Sequence, residues 1–128
     1  MYSSSALKQY QQVNTTSQVS DASPHRLIQM LMEGGLTRIA QARGALTRGQ
    51  LSLKGELIGK SIAIVGGLRE SLNFQQGGDV AANLDRLYEY MISRLVEANV
   101  KNEEAPLLEV ADLLRNVKEG WDAIAPAA

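Results

Sequence analysis

An antiparallel four-helix bundle preceded by a weakly ordered N-terminal arm is the all-α fold that this sequence predicts, on three observations. Apolar residues recur at helical spacing in four separate stretches, none alternates with the period of a strand, and the breaks between them are short. Short connections make neighbouring helices pack antiparallel. With 128 residues, 45% of them apolar and 21% charged, the chain can build one core and has the composition of an ordinary globular domain.

Residues 1–20 are rich in Ser, Gln, Thr and Asn around isolated Leu7, Tyr10, Val13 and Val19, and read as an arm too polar to fold alone. Residues 21–128 are assigned to the bundle. Ser23-Pro24 opens the first helix, with serine as N-cap and proline at the first helical position. Leu27, Ile28, Leu31, Met32 and Ile39 carry it to Gly44, and Leu46 to Gln50 form a turn around Gly49.

A second helix is predicted from Leu53 to Phe74 by Leu57, Ile58, Ile62, Val65, Leu68 and Leu72. Gln76-Gly77-Gly78 breaks the pattern, and Asp79 is the expected cap of the third helix. That helix carries Val80, Leu84, Leu87, Met91, Leu95 and Ala98 and fades between Asn99 and Asn102. The fourth starts at Glu104 or Pro106, places Leu107, Val110, Leu114, Val117, Trp121 and Ile124 on one stripe, and ends before Pro126.

On a wheel of about 100° per residue, helices two and three carry more apolar surface than one bundle face requires. Tyr88, Ile92 and Val96 widen the third helix's stripe, and Leu53, Leu57, Ile64 and Leu68 widen the second's. Two readings follow: both helices sit centrally and bury these residues, or part of the surface is a groove for a partner. The fourth helix is narrower and reads as an ordinary bundle member. Gly34, Gly35, Gly44, Gly55, Gly59, Gly66 and Gly67 fall in or beside helices, where each costs about 1 kcal/mol relative to alanine. Close helix approach is the favoured explanation, a compliant scaffold the other.

Residue types that carry chemistry are sparse. There is no cysteine, and the net charge of −1 offers no basic excess for nucleic acid. His25, the single histidine, lies at a helix start rather than mid-helix, which argues against a phosphotransfer role; scattered carboxylates around it lack metal-ligand spacing. Glu103 and Glu104 suit the dipole of a helix N-terminus. Ser3 to Ser5 have no activating partner. Gly77-Gly78 lacks the strand and lysine of a phosphate loop. Trp121 reads as a core anchor. No catalytic residue, cofactor or metal is therefore expected. No apolar run approaches the roughly 20 residues that span a bilayer, and Met1-Tyr2-Ser3-Ser4-Ser5 does not resemble a secretory signal. The expected location is the cytoplasm, without membrane insertion.

Ala22-Ser23-Pro24-His25-Arg26-Leu27-Ile28, followed by Met30-Leu31 and Gly34, resembles the first-helix signature of the FliS-type flagellar secretion (flagellin export) chaperone family. Ser71-Leu72-Asn73, Gly77-Gly78-Asp79-Val80-Ala81-Ala82-Asn83-Leu84, Leu87-Tyr88-Glu89-Tyr90-Met91, Arg94-Leu95 and Ala98-Asn99 resemble its third-helix block. Met1-Tyr2 and Tyr10 resemble its arm, and Trp121 its last helix, so the likeness runs nearly end to end. Met32-Glu33-Gly34-Gly35 departs from it, since the family more usually has an aromatic and an aspartate, then glycine and alanine.

This resemblance implies a four-helix chaperone of the bacterial cytosol. It would bind the disordered C-terminal segment of flagellin, prevent premature polymerisation and assist delivery to the type III export apparatus. An export gate protein and an anti-sigma factor are further partners by family analogy, although no residue here identifies either. Joined to the widened stripes, the resemblance favours a groove that takes a partner helix, with Ile58, Ile62, Val65, Leu84, Tyr88 and Leu95 as its expected contacts. Leu7 and Tyr10 are the expected lid, displaced by the guest. A bundle whose extra stripe pairs with its own copy is the alternative from another class.

Overall fold

The structure is a computed structural model and describes residues 22–124. Four helices follow in order: α1 Pro24–Thr47, α2 Leu51–Glu70, α3 Phe74–Lys101 and α4 Ala105–Ala123. Among the described residues there is no strand, as predicted. Leu7 and Tyr10 lie outside the described residues.

Local chemistry sets the helix ends. Ser23 caps α1 as expected: its Oγ accepts a hydrogen bond from the Arg26 backbone N–H at 3.1 Å, with Pro24 next to it. Gly49, at φ 73°, supplies the left-handed residue of the α1–α2 turn. α2 stops at Glu70, earlier than predicted, so Leu72 is buried from the turn rather than from the helix. The cap of α3 is Asn73, not Asp79, its Oδ1 accepting from the Gln76 N–H at 3.1 Å. The expected break survives as a kink at Gly78, with φ 50° and ψ −127°. One helical turn therefore precedes the long shaft of α3, which ends on left-handed Asn102.

Each helix packs against its chain neighbour, α4 returns to α1, and the α1–α2 contact is the most extensive. The core is built from Leu27, Ile28, Met32 and Ile39 of α1, Ile58, Val65 and Leu68 of α2, Tyr88, Met91 and Leu95 of α3, and Leu107, Val110 and Leu114 of α4. Close approach explains Gly35: a Cβ there would stand 3.0 Å from Leu114 Cδ2 and 3.4 Å from Ile64 Cγ2. It does not explain Gly59, Gly66 or Gly67, which have none of the described residues within 4 Å of that position.

Ion pairs and polar bonds hold the seams. Arg69 of α2 reaches Asp85 of α3 at 2.6 Å and Glu89 at 3.4 Å. Arg94 of α3 bonds Glu109 of α4 at 2.6 Å and also pairs with Glu97. The Tyr90 hydroxyl donates to the same Glu109 at 2.9 Å. Lys54, buried near the start of α2, donates to the backbone O of Asn99 at 2.9 Å and to its Oδ1 at 2.7 Å. The last carbonyls of a helix lack intrahelical donors, so a lysine ammonium is well matched to the end of α3.

Candidate binding groove

Four of the six expected groove residues are core. Ile58, Val65, Tyr88 and Leu95 are fully buried and belong to the core cluster. The physical reason is packing on two sides: α2 meets both α1 and α3, and α3 meets both α2 and α4, so a widened stripe is absorbed by two neighbours. Of the residues that widen the two stripes, Leu57, Leu68 and Tyr88 are buried, Ile64 and Ile92 are half-buried, and Leu53 and Val96 stay exposed. Ile62 and Leu84 remain half-buried against the core.

Leu84 lies in an apolar groove at the end of the α3–α4 seam. Val80 and Leu84 of α3 form one side, Val117, Gly120 and Trp121 of α4 with Ile124 just past its end form the other, and Met32 of α1 is the floor. Among the described residues, Asn116 is the only strongly polar side chain in the lining. Val80 is 54% exposed and Ile124 60%, large apolar residues standing at the rim in water. The groove holds about 260 Å³, less than the roughly 300–1,000 Å³ of small-molecule sites. Its size suits a few anchoring side chains of a polypeptide rather than a whole cofactor.

Helix α4 was expected to be an ordinary member, yet it supplies one whole wall. The antiparallel register fixed by Arg94 and Glu109 brings Trp121 and Ile124 level with the first turn after Gly78. There the shaft of α3 has only just begun, so the far end of the α4 stripe outruns its partner. A signal was present in the sequence: the apolar stripe of α4 continues to Ile124, while that of α3 starts only at Val80.

The wall of α4 is tied to α1 from behind. The His25 and Trp121 rings stack with centroids 4.5 Å apart and planes at 14°, and the indole Nε1 donates to the backbone O of His25 at 3.0 Å. Beside them Asp122 accepts from Lys118 at 2.7 Å and from Gln29 at 2.8 Å. The Lys118 hydrogen bond, with a smaller contribution from Gln29, holds the Asp122 carboxyl below its usual range.

A second hollow lies between α1 and α2, lined by Ala40, Gln41, Gly44, Arg48, Leu53 and Leu57, with about 560 Å³. It is larger, but Gln41 and the Arg48 guanidinium frame it. The α3–α4 groove, almost wholly apolar and floored by the core, is the better candidate for burying apolar side chains. Among the described residues, no cluster of His, Asp and Glu could hold a metal ion. Nor is any helix there long and apolar enough to cross a membrane.

The described residues thus form a small helical bundle with an apolar groove on one seam. The family model described as "Flagellar protein FliS" matches residues 6–128, and the chain belongs to that family. It is 64% identical over 124 residues to the flagellar secretion chaperone FliSB of Pseudomonas aeruginosa, covering 97% of this chain and 98% of that protein. Over 129 residues it is 43% identical to the flagellar secretion chaperone FliS of Salmonella typhimurium, covering 100% and 96%. The flagellar secretion chaperone FliS of Vibrio cholerae is 41% identical over 121 residues, covering 94% and 89%. The chain is thus a flagellar export chaperone, not an enzyme, and its partner is a flagellar protein.

Proposed function

We propose that this chaperone works in the bacterial cytosol and holds the C-terminal segment of flagellin. That segment lies with a helix in the α3–α4 groove, which keeps the subunit from polymerising before delivery to the type III export apparatus. The observation that carries this reading is the apolar groove itself, with exposed Val80 and Ile124 flanking half-buried Leu84, Val117 and Trp121. A disordered guest loses chain entropy when it folds on binding, and burying apolar side chains offsets that loss. Anchors at helical spacing fit a groove of this kind.

Leu84 is thereby kept as a guest contact. Ile62 is kept as a second contact, half-exposed on a face of α2 shared with Gly59 and Gly66, where the absence of side chains leaves open space. Residues 1–20 act as a separate arm whose Leu7 and Tyr10 cover the groove until the guest arrives.

Calorimetric titration with a peptide spanning the flagellin C-terminal segment tests the groove. Val80→Asp should weaken binding by about tenfold or more, because a carboxylate would be desolvated against apolar side chains, while the unfolding midpoint hardly moves at so exposed a site. Equal affinity in the variant and the parent would overturn the assignment. Removing residues 1–20 should raise the association rate; an unchanged rate would refute the lid.

A further inference from the structure

The single histidine and the single tryptophan of the sequence meet behind the groove. Trp121 takes part in two structures at once: its indole lines the groove, and it stacks on His25 while donating to the His25 carbonyl. An indole stacked on one ring and hydrogen-bonded through its only polar atom has little rotational freedom. The His25 Nε2 is buried and has no hydrogen-bond partner among the described residues, so the imidazole is held by stacking rather than by a polar bond at that nitrogen. Neighbouring polar groups are engaged elsewhere: Arg26 pairs with Glu33 at 3.0 Å, and Asp122 is shared by Lys118 and Gln29.

From this geometry we infer that His25 is a positioning residue for guest binding. Its ring sets the Trp121 indole as the groove wall, and so fixes the shape presented to the apolar anchors of the guest helix. This rests on the groove being the guest site. His25 itself touches no guest and acts only through Trp121. A buried nitrogen without a partner is a poor use of a polar ring in a purely structural role; a flat ring is what the stack needs.

A set of variants and one flagellin C-terminal peptide test it. His25→Ala should lose the near-ultraviolet dichroism of Trp121 and red-shift its emission. It should also bind the peptide about two- to tenfold more weakly, the range that one aromatic stack spans. His25→Phe, which restores a flat ring, should recover both the optical signature and most of the affinity. Gln29→Ala loosens the same α1–α4 seam without touching the stack, and should change neither. If His25→Ala fails to fold, His25→Gln, which has no ring, replaces it. Unchanged tryptophan spectra and affinity in the ring-less variant, or loss in His25→Phe equal to that in His25→Ala, would overturn the inference. Val80→Asp separates the two claims: loss there without loss in His25→Ala overturns the positioning role alone, and no loss in Val80→Asp overturns the groove and the inference with it.

Discussion

The two ends of the α3–α4 seam solve the same packing problem differently. Towards the end of α3, Leu95 and Ala98 are sealed in the core, Arg94 and Tyr90 converge on Glu109, and Lys54 crosses from α2 to the Asn99 carbonyl. Towards its start, Val80 and Leu84 face Val117, Trp121 and Ile124 across an open apolar groove. About 21 Å of helix, at 1.5 Å per residue, separates Val80 from Arg94. Polar clamps fix register and angle at one end, which leaves the other free to stay unfilled without the helices sliding. An open groove on a small bundle thus depends on the closure of the region it does not occupy.

The largest effect expected from this contrast is in the core of the closed end. Leu95→Ala should lower unfolding free energy by about 2–5 kcal/mol, whereas Val80→Ala at the open rim should stay within about 0.5 kcal/mol. Denaturant titrations of the two variants decide it, and similar losses would mean that the rim is structural. Next comes Lys54→Met, which strands the two Asn99 acceptors; about 1 kcal/mol should be lost, since Asn99 is half-buried and water replaces part of the lysine. Faster amide exchange at the start of α2 should accompany it. An unchanged midpoint and exchange pattern would show that packing alone shuts this end.

The smallest effect is electrostatic. Glu109 is held below the usual carboxylate range by the Arg94 hydrogen bond and then that of Tyr90, and Glu97 by Lys101 first and Arg94 second. Because their folded values are lowered, the contribution of both groups is present at neutral pH and is lost as pH falls through the carboxylate range. Arg94→Ala should therefore show a weaker decline in melting temperature between neutral and mildly acid pH than the parent does, with added salt narrowing the gap. Parallel pH curves would remove the network from the account of the closed end.

Much of the fold was legible from residue patterns. Ser23-Pro24 announced a helix start, and the periodic runs through Leu27, Leu57, Met91 and Leu114 placed all four helices. Asn73 was missed as a cap because Asp79, past the two glycines, offered an equally good side chain, and only the backbone shows which is used. The width of the apolar faces was legible, but not where apolar surface stays uncovered. A wheel shows how wide an apolar face is, not how many neighbours cover it, so Tyr88 and Leu95 looked available although both are enclosed. Trp121 and Ile124 looked internal because they continue a core stripe, and only the antiparallel register reveals that the stripe runs beyond its cover.

The torsion angles of Gly78 give the groove an unexpected dependence on chirality. At φ 50° and ψ −127° this residue adopts roughly the mirror image of an extended conformation, open in practice only to an achiral amino acid. Among the described residues nothing lies within 4 Å of where a Cβ would be, and the demand read from the backbone is torsional. Val80 follows two residues later, and the direction in which the rim of the groove leaves the turn is therefore set by a hydrogen atom where every other residue would carry carbon.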